Sequence, residues 1–126
     1  MVRLLLDTHV LLWSLTEPRK LRRETREALE DEHNDVFVSA VSGWEIAVKR
    51  ALGKLRAPDD LEAGVRQQGF LPLHLTFLHA EQAGALPPHH GDPFDRMLVA
   101  QAQVEGLAIV TRDARIPLYG IRTMKA

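Results

Sequence analysis

The segment VRLLLDTHVLL, residues 2–12, places an apolar run directly before a helical pattern. Val2–Leu6 is apolar apart from Arg3, as expected of a central strand that is covered on both faces. Thr8 is a residue type that caps helices, so the sequence predicts a helix that starts here and carries Val10–Leu15. Asp7 stands between the two elements, and in a parallel α/β sheet this is the edge at which ligands bind.

The rest of the chain repeats this alternation of strands and helices. Such alternation predicts a parallel sheet with right-handed crossovers, and therefore an α/β fold. No internal repeat, low-complexity segment or linker interrupts it, so we predict that residues 1–126 form a single domain. The further predicted strands are 35–38, 70–73, 107–111 and an edge strand at 121–124, and the further predicted helices are 22–30, 39–52 or 42–52, 58–68, 76–85 and 93–105.

The composition is that of an ordinary globular protein, with 45% hydrophobic and 26% charged residues among 126. The chain has no cysteine, which excludes disulfides and thiolate metal sites and fits a reducing cytosol. No apolar run approaches the ~20 residues that span a membrane, and the N-terminus lacks a signal-peptide pattern. We therefore expect a cytoplasmic protein.

The net charge of −1 argues against nucleic-acid binding by overall electrostatics, because phosphate neutralisation dominates that kind of affinity. Any contact with nucleic acid would have to use a bound metal or local clusters of basic residues. Such clusters are more often solvated faces than binding patches. They lie at residues 19–26, 49–56 and 112–115.

Four acidic residues follow a predicted strand or stand near the start of a predicted helix: Asp7, Glu45, Asp95 and Asp113. Strand ends and the starts of the following helices share one edge of a parallel sheet, so the topology brings the four together. Four carboxylates at one edge repel each other unless a cation lies among them. Mg²⁺ and Mn²⁺ prefer oxygen ligands and are the natural occupants.

Each acid also has a purely structural explanation. Taken together these explanations weaken, because a carboxylate such as Glu45, between Trp44 and Ile46, is costly in apolar surroundings unless it is paired or binds a cation. Capping also does not require that all the acids meet at one edge. The structural explanations are Asp92 and Asp95 as a capping box, Asp7 against a helix dipole, Glu45 paired with Lys49, and Asp113 closing a turn.

The six histidines are less informative, because none of them forms a zinc-binding pattern such as HExxH. His89 and His90 precede Asp92 in a loop rich in proline and glycine. We expect them to be exposed, with at most a peripheral role at the mouth of the site. Trp13 and Trp44 stand among apolar helical residues, and we expect both in the core.

Four segments together resemble the motifs of PIN-domain proteins, most closely the VapC-type toxins of prokaryotic toxin–antitoxin pairs. LLLDTHVLLW at residues 4–13 is similar to the opening motif, and SGWEIAVK at 42–49 resembles the second. HHGDPFDRMLVAQA at 89–102 looks like the third, and IVTRD at 109–113 like the fourth. Each motif alone is modestly specific, but all four occur in order and span most of the chain.

The resemblance implies a three-layer α/β/α sandwich and a Mg²⁺- or Mn²⁺-dependent endoribonuclease that cleaves RNA phosphodiester bonds with cation-activated water. It also implies a homodimer and inhibition by a small antitoxin whose tail covers the acidic site. The apolar faces near Val10–Leu15 and Leu61–Val65 favour the homodimer, because they exceed what one core would absorb. By resemblance the catalytic and metal-binding acids are Asp7, Glu45, Asp95 and Asp113, supported by Thr8, Thr111 and the extra acid Asp92.

Within this set we expect Asp7 and Asp95 to hold the principal ion, Glu45 to orient water or hold a second ion, and Asp113 to tolerate change better. Two other functions stay open. One is a phosphatase-like phosphoryl hydrolase, although a haloacid-dehalogenase-type site would need an Asp where His9 stands. The other is a binding module without nuclease activity, whose acids engage a basic partner.

Overall fold

A single parallel sheet of five strands forms the centre of the computed structural model, which describes all 126 residues. The central strand β1 pairs with β2 on one side and β4 on the other, with Leu5 opposite both Phe37 and Ile109. The order across the sheet is β3-β2-β1-β4-β5, and every pairing is parallel. The strands are β1 (Arg3–Leu6), β2 (Asp35–Ser39), β3 (Leu71–Leu73), β4 (Ala108–Thr111) and β5 (Thr123–Lys125).

Six helices connect the strands, together with short 3₁₀ turns at Pro18–Lys20 and Ile116–Tyr119. Most begin at a side chain that accepts a hydrogen bond from the first turn, as helix N-caps do. No helix in the structure is both long enough and apolar enough to cross a membrane. The helices are α1 (Thr8–Thr16), α2 (Arg23–Glu30), α3 (Ala40–Ala51), α4 (Leu61–Gln67), α5 (Phe77–Ala85) and α6 (Pro93–Glu105).

The two faces of the sheet are covered by separate apolar clusters, which confirms the three-layer α/β/α prediction. Leu4 and Leu6 pack on one face with apolar residues of α1, α2 and α4. Leu5 packs on the other face with apolar residues of α5 and α6. This alternation follows from the period of two along a strand, and it leaves all three leucines of β1 fully buried.

Two sequence-based expectations about the helices are wrong. Asp7, and not Thr8, is the N-cap of α1, because its carboxylate accepts a hydrogen bond from the backbone N–H of Val10. The apolar faces of α1 and α4 are not left uncovered, because Val10 and Val65 are buried in the same core cluster. The strongly exposed apolar side chains stand elsewhere, among them Met1, Trp44, Leu52, and Phe77 and Leu78 of α5.

Trp44 is also not where the sequence placed it. The buried stripe of α3 consists of Val41, Ser42, Glu45 and Ile46, which leaves Trp44 pointing away from the core with 61% of its surface exposed. Its ring meets Phe94 edge to face, with ring centroids 5.2 Å apart. Trp13, in contrast, is partly buried and packs against the apolar cluster of α1.

Candidate metal centre

Three of the four predicted acids line one cavity beside the carboxyl ends of β1 and β4. Asp7, Asp95 and Asp113 surround a volume of about 350 Å³ together with His9, Trp13 and Arg112. Asp7 directly follows β1, Asp113 follows β4 by one residue, and Asp95 lies in the first turn of α6. The parallel topology therefore brings to one edge residues that are far apart in the sequence, as predicted.

Asp7 is held at both of its carboxylate oxygens. One oxygen accepts from the Val10 N–H at 2.9 Å, and the other accepts from the Thr111 hydroxyl. The same hydroxyl oxygen accepts a hydrogen bond from the backbone N–H of Asp113 at 2.9 Å. Burial raises the pKa of Asp7, although these hydrogen bonds oppose the effect. Thr111 thus connects the ends of β1 and β4 and fixes Asp7 relative to Asp113.

The fourth acid, Glu45, does not line this cavity and forms an ion pair with a neighbouring lysine. Its side chain is almost fully buried, and the Thr8 hydroxyl donates to one oxygen at 2.6 Å. Lys49, one helical turn later, forms an ion pair with the other oxygen, and this hydrogen bond raises the pKa of Lys49. The structural explanation for Glu45, a pair with Lys49, is therefore observed. Its charge still acts on the cluster, because it helps to raise the pKa of Asp95.

His90 is the main site residue whose position differs from the sequence-based prediction. Its side chain is not exposed in the loop: the residue is only 8% exposed, and its Nε2 lies 3.0 Å from Asp95 Oδ2 and 2.8 Å from Asp113 Oδ2. Its Nδ1 accepts a hydrogen bond from the backbone N–H of Asp92 at 3.1 Å. His89, as expected, is exposed. The sequence feature that could have indicated this role is the position of His90, two residues before the N-cap of α6.

The loop that carries His90 is fixed by two side chains that the sequence reading did not single out. The Arg96 guanidinium donates to the carbonyl oxygens of Ala83, Leu86 and Pro87 at 3.0–3.1 Å. The Tyr119 hydroxyl donates to Pro87 O and accepts from the His90 N–H, both at 2.9 Å. Asp92 caps α6 by accepting from the N–H groups of residues 94 and 95, as predicted, but the reciprocal bond of the predicted capping box is not formed, because the Asp92 N–H donates to His90 Nδ1.

The electrostatics of Asp95 and Asp113 differ although both contact His90. Burial raises the pKa of Asp95 to about 7, and the charges of Asp92, Asp7 and Glu45 act in the same direction against the opposing effect of His90. Burial also acts to raise the pKa of Asp113, but hydrogen bonds from His90 and the backbone N–H of Arg115 outweigh it, so that pKa is lowered. Asp95 is therefore the carboxylate whose ionisation is most unfavourable without a nearby cation.

We expect the stability of the cation-free chain to depend on pH through Asp95. Because its pKa rises from 3.8 when unfolded to about 7 when folded, its stabilising contribution is complete below about pH 4 and is lost as the pH rises through 7. Denaturant unfolding in a chelator should therefore show the wild type losing stability over this range relative to Asp95→Asn. Parallel pH curves for the two proteins would contradict the assignment.

The donor set fits a hard divalent cation. Asp95, Asp113 and His90 place one ligand-type atom each within 4.8 Å of one another, and Asp7 lines the same cavity. Carboxylate oxygens are the ligands that Mg²⁺ and Mn²⁺ prefer, and the charges of Asp92, Asp7 and Glu45 add to burial in raising the pKa of Asp95. The fold and the site thus define an α/β protein with a cluster of acidic side chains at the carboxyl edge of its sheet, of a composition that fits a divalent cation.

Comparison with known proteins gives the family. A PIN-domain profile matches residues 4–121. The chain is 33% identical over 124 residues to ribonuclease VapC22 of Mycobacterium tuberculosis, covering 92% of this chain and 91% of that protein. It is also 38% identical over 60 residues to ribonuclease VapC16 of the same organism, covering 44% and 43%. The chain belongs to the PIN-domain family.

Solved structures show the same fold at low sequence identity. VapBC2 from Rickettsia felis, solved bound to a DNA fragment from its promoter, superposes with a TM-score of 0.72 at 11% identity. DNA-bound VapBC from Salmonella typhimurium superposes with a TM-score of 0.71 at 21% identity. In both cases 98% of each chain is covered. The likeness confirms the α/β architecture that the sequence predicted.

Proposed function

We propose that this chain is a Mg²⁺- or Mn²⁺-dependent endoribonuclease that acts in the cytoplasm as the toxin of a type II toxin–antitoxin pair, with residues 1–126 as one domain. The observation that carries the proposal is the convergence of Asp7, Asp95 and Asp113 on one cavity. The relative named ribonuclease VapC22, which aligns with nearly the whole chain, supports the reaction class. An acidic cavity alone would equally serve a phosphatase-like hydrolase.

The role we propose for each residue follows from its position and contacts in the site. Asp7 and Asp95 hold the principal cation, because both are carried on the ends of regular elements and line the cavity. Asp113 stands across the same cavity, and Thr111 fixes it relative to Asp7. Glu45, held by Thr8 and Lys49, adds negative charge that acts on Asp95 and orients water. Asp92 supports Asp95 by capping α6.

The reaction is hydrolysis of an RNA phosphodiester bond. Bound Mg²⁺ or Mn²⁺ supplies stabilisation of the phosphate charge and lowers the pKa of water. Water attacks the phosphorus and the P–O3′ bond breaks, which leaves a 5′-phosphate and a 3′-hydroxyl, and the RNA 2′-hydroxyl is not needed. Arg112, whose guanidinium lies 4.5 Å from the centre of the Trp13 ring, is the one arginine or lysine that lines the same cavity.

The direct test is cleavage of cellular RNA by the purified chain, with the 5′ ends sequenced and the product ends identified. Activity should require Mg²⁺ or Mn²⁺, disappear with EDTA and return when the cation is restored. Products should carry 5′-phosphates. Cleavage that persists in EDTA would exclude the cation mechanism, whereas 2′,3′-cyclic phosphate products would exclude water as the nucleophile. Hydrolysis of phosphate monoesters without RNA cleavage would favour the phosphatase alternative.

The proposed partners are a second copy of the chain and a small antitoxin whose tail covers the acidic cavity. The negative charge of the cavity favours a tail that presents a basic side chain. Phe77, 89% exposed, and its neighbour Leu78, 60% exposed, form an adjacent pair of exposed apolar residues at the start of α5. Because exposed apolar patches commonly mark protein contacts, we place the dimer surface at this end of α5.

We expect sedimentation to show a dimer at micromolar concentration without antitoxin, and a monomer for the double variant Phe77→Asp/Leu78→Asp. Acidic residues suit the first turn of a helix, so the variant should stay folded. Leu118→Asp is the matched control, because Leu118 is equally exposed but lies outside α5. A monomeric wild type, or dissociation caused by the control alone, would contradict the prediction.

A further inference from the structure

The histidine between Asp95 and Asp113 has a defined protonation pattern that follows from its hydrogen bonds. A neutral imidazole donates through one ring nitrogen and accepts through the other. Here Nδ1 faces the backbone N–H of Asp92 at 3.1 Å, which can only donate. Nδ1 must therefore accept, and the ring hydrogen of His90 lies on Nε2. This tautomer points the donor at the two carboxylate oxygens.

The imidazole is also held rigidly in this orientation. The His90 N–H donates to the Tyr119 hydroxyl at 2.9 Å, and the His90 carbonyl accepts from Arg96 at 3.4 Å. Together with the Asp92 contact, these bonds fix both the backbone and the ring. Nε2 then lies between Asp95 Oδ2 at 3.0 Å and Asp113 Oδ2 at 2.8 Å. One N–H group thus holds together two oxygens that would otherwise repel each other.

A metal-ligating histidine has the opposite arrangement. Its ligating nitrogen needs a free lone pair, and its other nitrogen carries a hydrogen that is normally donated to a carboxylate, a carbonyl or water. If His90 bound a cation through Nε2, the hydrogen would move to Nδ1 and face the Asp92 N–H. Two donors would then oppose each other in a partly buried position, which is unfavourable.

We propose that His90 is a positioning residue of the metal centre: its Nε2–H holds Asp95 and Asp113 at the spacing a cation needs, and it is not itself a ligand. This inference rests on the cation dependence in the proposed function. It leaves only oxygen donors for the ion, so the centre should prefer Mg²⁺ and Mn²⁺ to Zn²⁺, which takes histidine nitrogen readily.

The tautomer can be read directly from the full-length chain labelled with ¹⁵N-histidine. Long-range proton–nitrogen spectra distinguish the protonated from the unprotonated ring nitrogen, and the His90 signals are assigned by their loss in His90→Gln. We expect Nε2 to carry the hydrogen both without and with saturating Mg²⁺. Hydrogen on Nδ1, or its transfer to Nδ1 when Mg²⁺ is added, would show that His90 is a ligand and overturn the inference.

Two substitutions separate the donor from the rest of the side chain. His90→Gln places an amide N–H group about where Nε2 stands, and should keep Mn²⁺ affinity within about threefold. His90→Asn can still accept from the Asp92 N–H but cannot reach the carboxylates, and should lose roughly 10- to 100-fold in affinity. Calorimetric titration with Mn²⁺ measures both, and thermal melting confirms that each variant is folded.

The control variants are at His89, and the possible outcomes distinguish failure of this inference from failure of the proposed function. His89→Gln and His89→Asn change the exposed neighbour and should bind Mn²⁺ as the wild type does. Equal losses in His90→Gln and His90→Asn, or no loss in either, would overturn the inference while leaving the proposed function standing. A wild type that binds no Mn²⁺ would overturn the proposed function together with it. If His90→Asn does not fold, the tautomer measurement on the wild type still decides.

Discussion

Asp95→Asn should abolish RNA cleavage while making the cation-free chain more stable at about pH 8. The carboxylate is a proposed ligand of the principal cation, and a catalytic metal is worth several kcal/mol to the transition state. At about 4 kcal/mol, its loss lowers the rate by roughly three orders of magnitude. Stability should rise because Asn removes a charge that burial and three neighbouring acids disfavour in the folded chain.

Loss of cleavage together with a gain in stability would identify Asp95 as part of the cation site. A variant that lost activity because it unfolded would lose stability as well. Cleavage assays with Mg²⁺ and Mn²⁺ and denaturant unfolding in a chelator should therefore be run on the same samples. Glu32→Gln is a suitable control, because Glu32 is an exposed acid without an ion pair. Asp95→Asn with near wild-type cleavage would show that the cation centre is placed wrongly.

The elements of the fold were predictable where the signals are local. Helix α6 runs from Pro93 to Glu105, as the sequence indicated, because Asp92 caps it and Gly106, in the left-handed conformation, ends it. The strands were recognised as short apolar runs, with ends shifted by one or two residues. The fifth strand is Thr123–Lys125 instead of 121–124. Edge strands are short and partly exposed, so their pattern is weak.

The site was only partly predictable, because some of its contacts depend on packing. Topology was enough to place Asp7, Asp95 and Asp113 together, since parallel strands share an edge. His90 is buried only because Arg96 and Tyr119 hold its loop against the start of α6, and no local pattern encodes that. Trp44 is surrounded by apolar residues in sequence, but the helical period rotates it away from the core.

Structural and functional explanations also proved compatible for the same acid. Asp7 caps α1 and still lines the cavity, because a carboxylate has two oxygens and can use each differently. Glu45 pairs with Lys49 and still contributes charge that acts on Asp95. A capping or pairing role therefore does not argue against a catalytic one. The distinction has to come from substitutions that remove one role and keep the other.

Asp7→Asn should be such a substitution, with loss of cleavage comparable to that of Asp95→Asn. Asn caps helices about as well as Asp, so its side-chain oxygen can keep the bond from the Val10 N–H. Its amide nitrogen cannot replace the oxygen that accepts from Thr111, and it makes a poor cation ligand. We expect unfolding free energy within about 1 kcal/mol of wild type and an RNA cleavage rate lower by roughly a thousandfold.

Asp7→Ala completes the comparison, because it removes the cap as well as the ligand. It should lose cleavage to the same extent and about 1 kcal/mol of stability in addition. Asp60→Ala is the matched control: Asp60 caps α4 through the Ala63 N–H at 3.0 Å, away from the cavity. It should lose a similar amount of stability and keep full cleavage. If Asp7→Asn cleaved RNA as well as Asp60→Ala does, Asp7 would be a helix cap and nothing more.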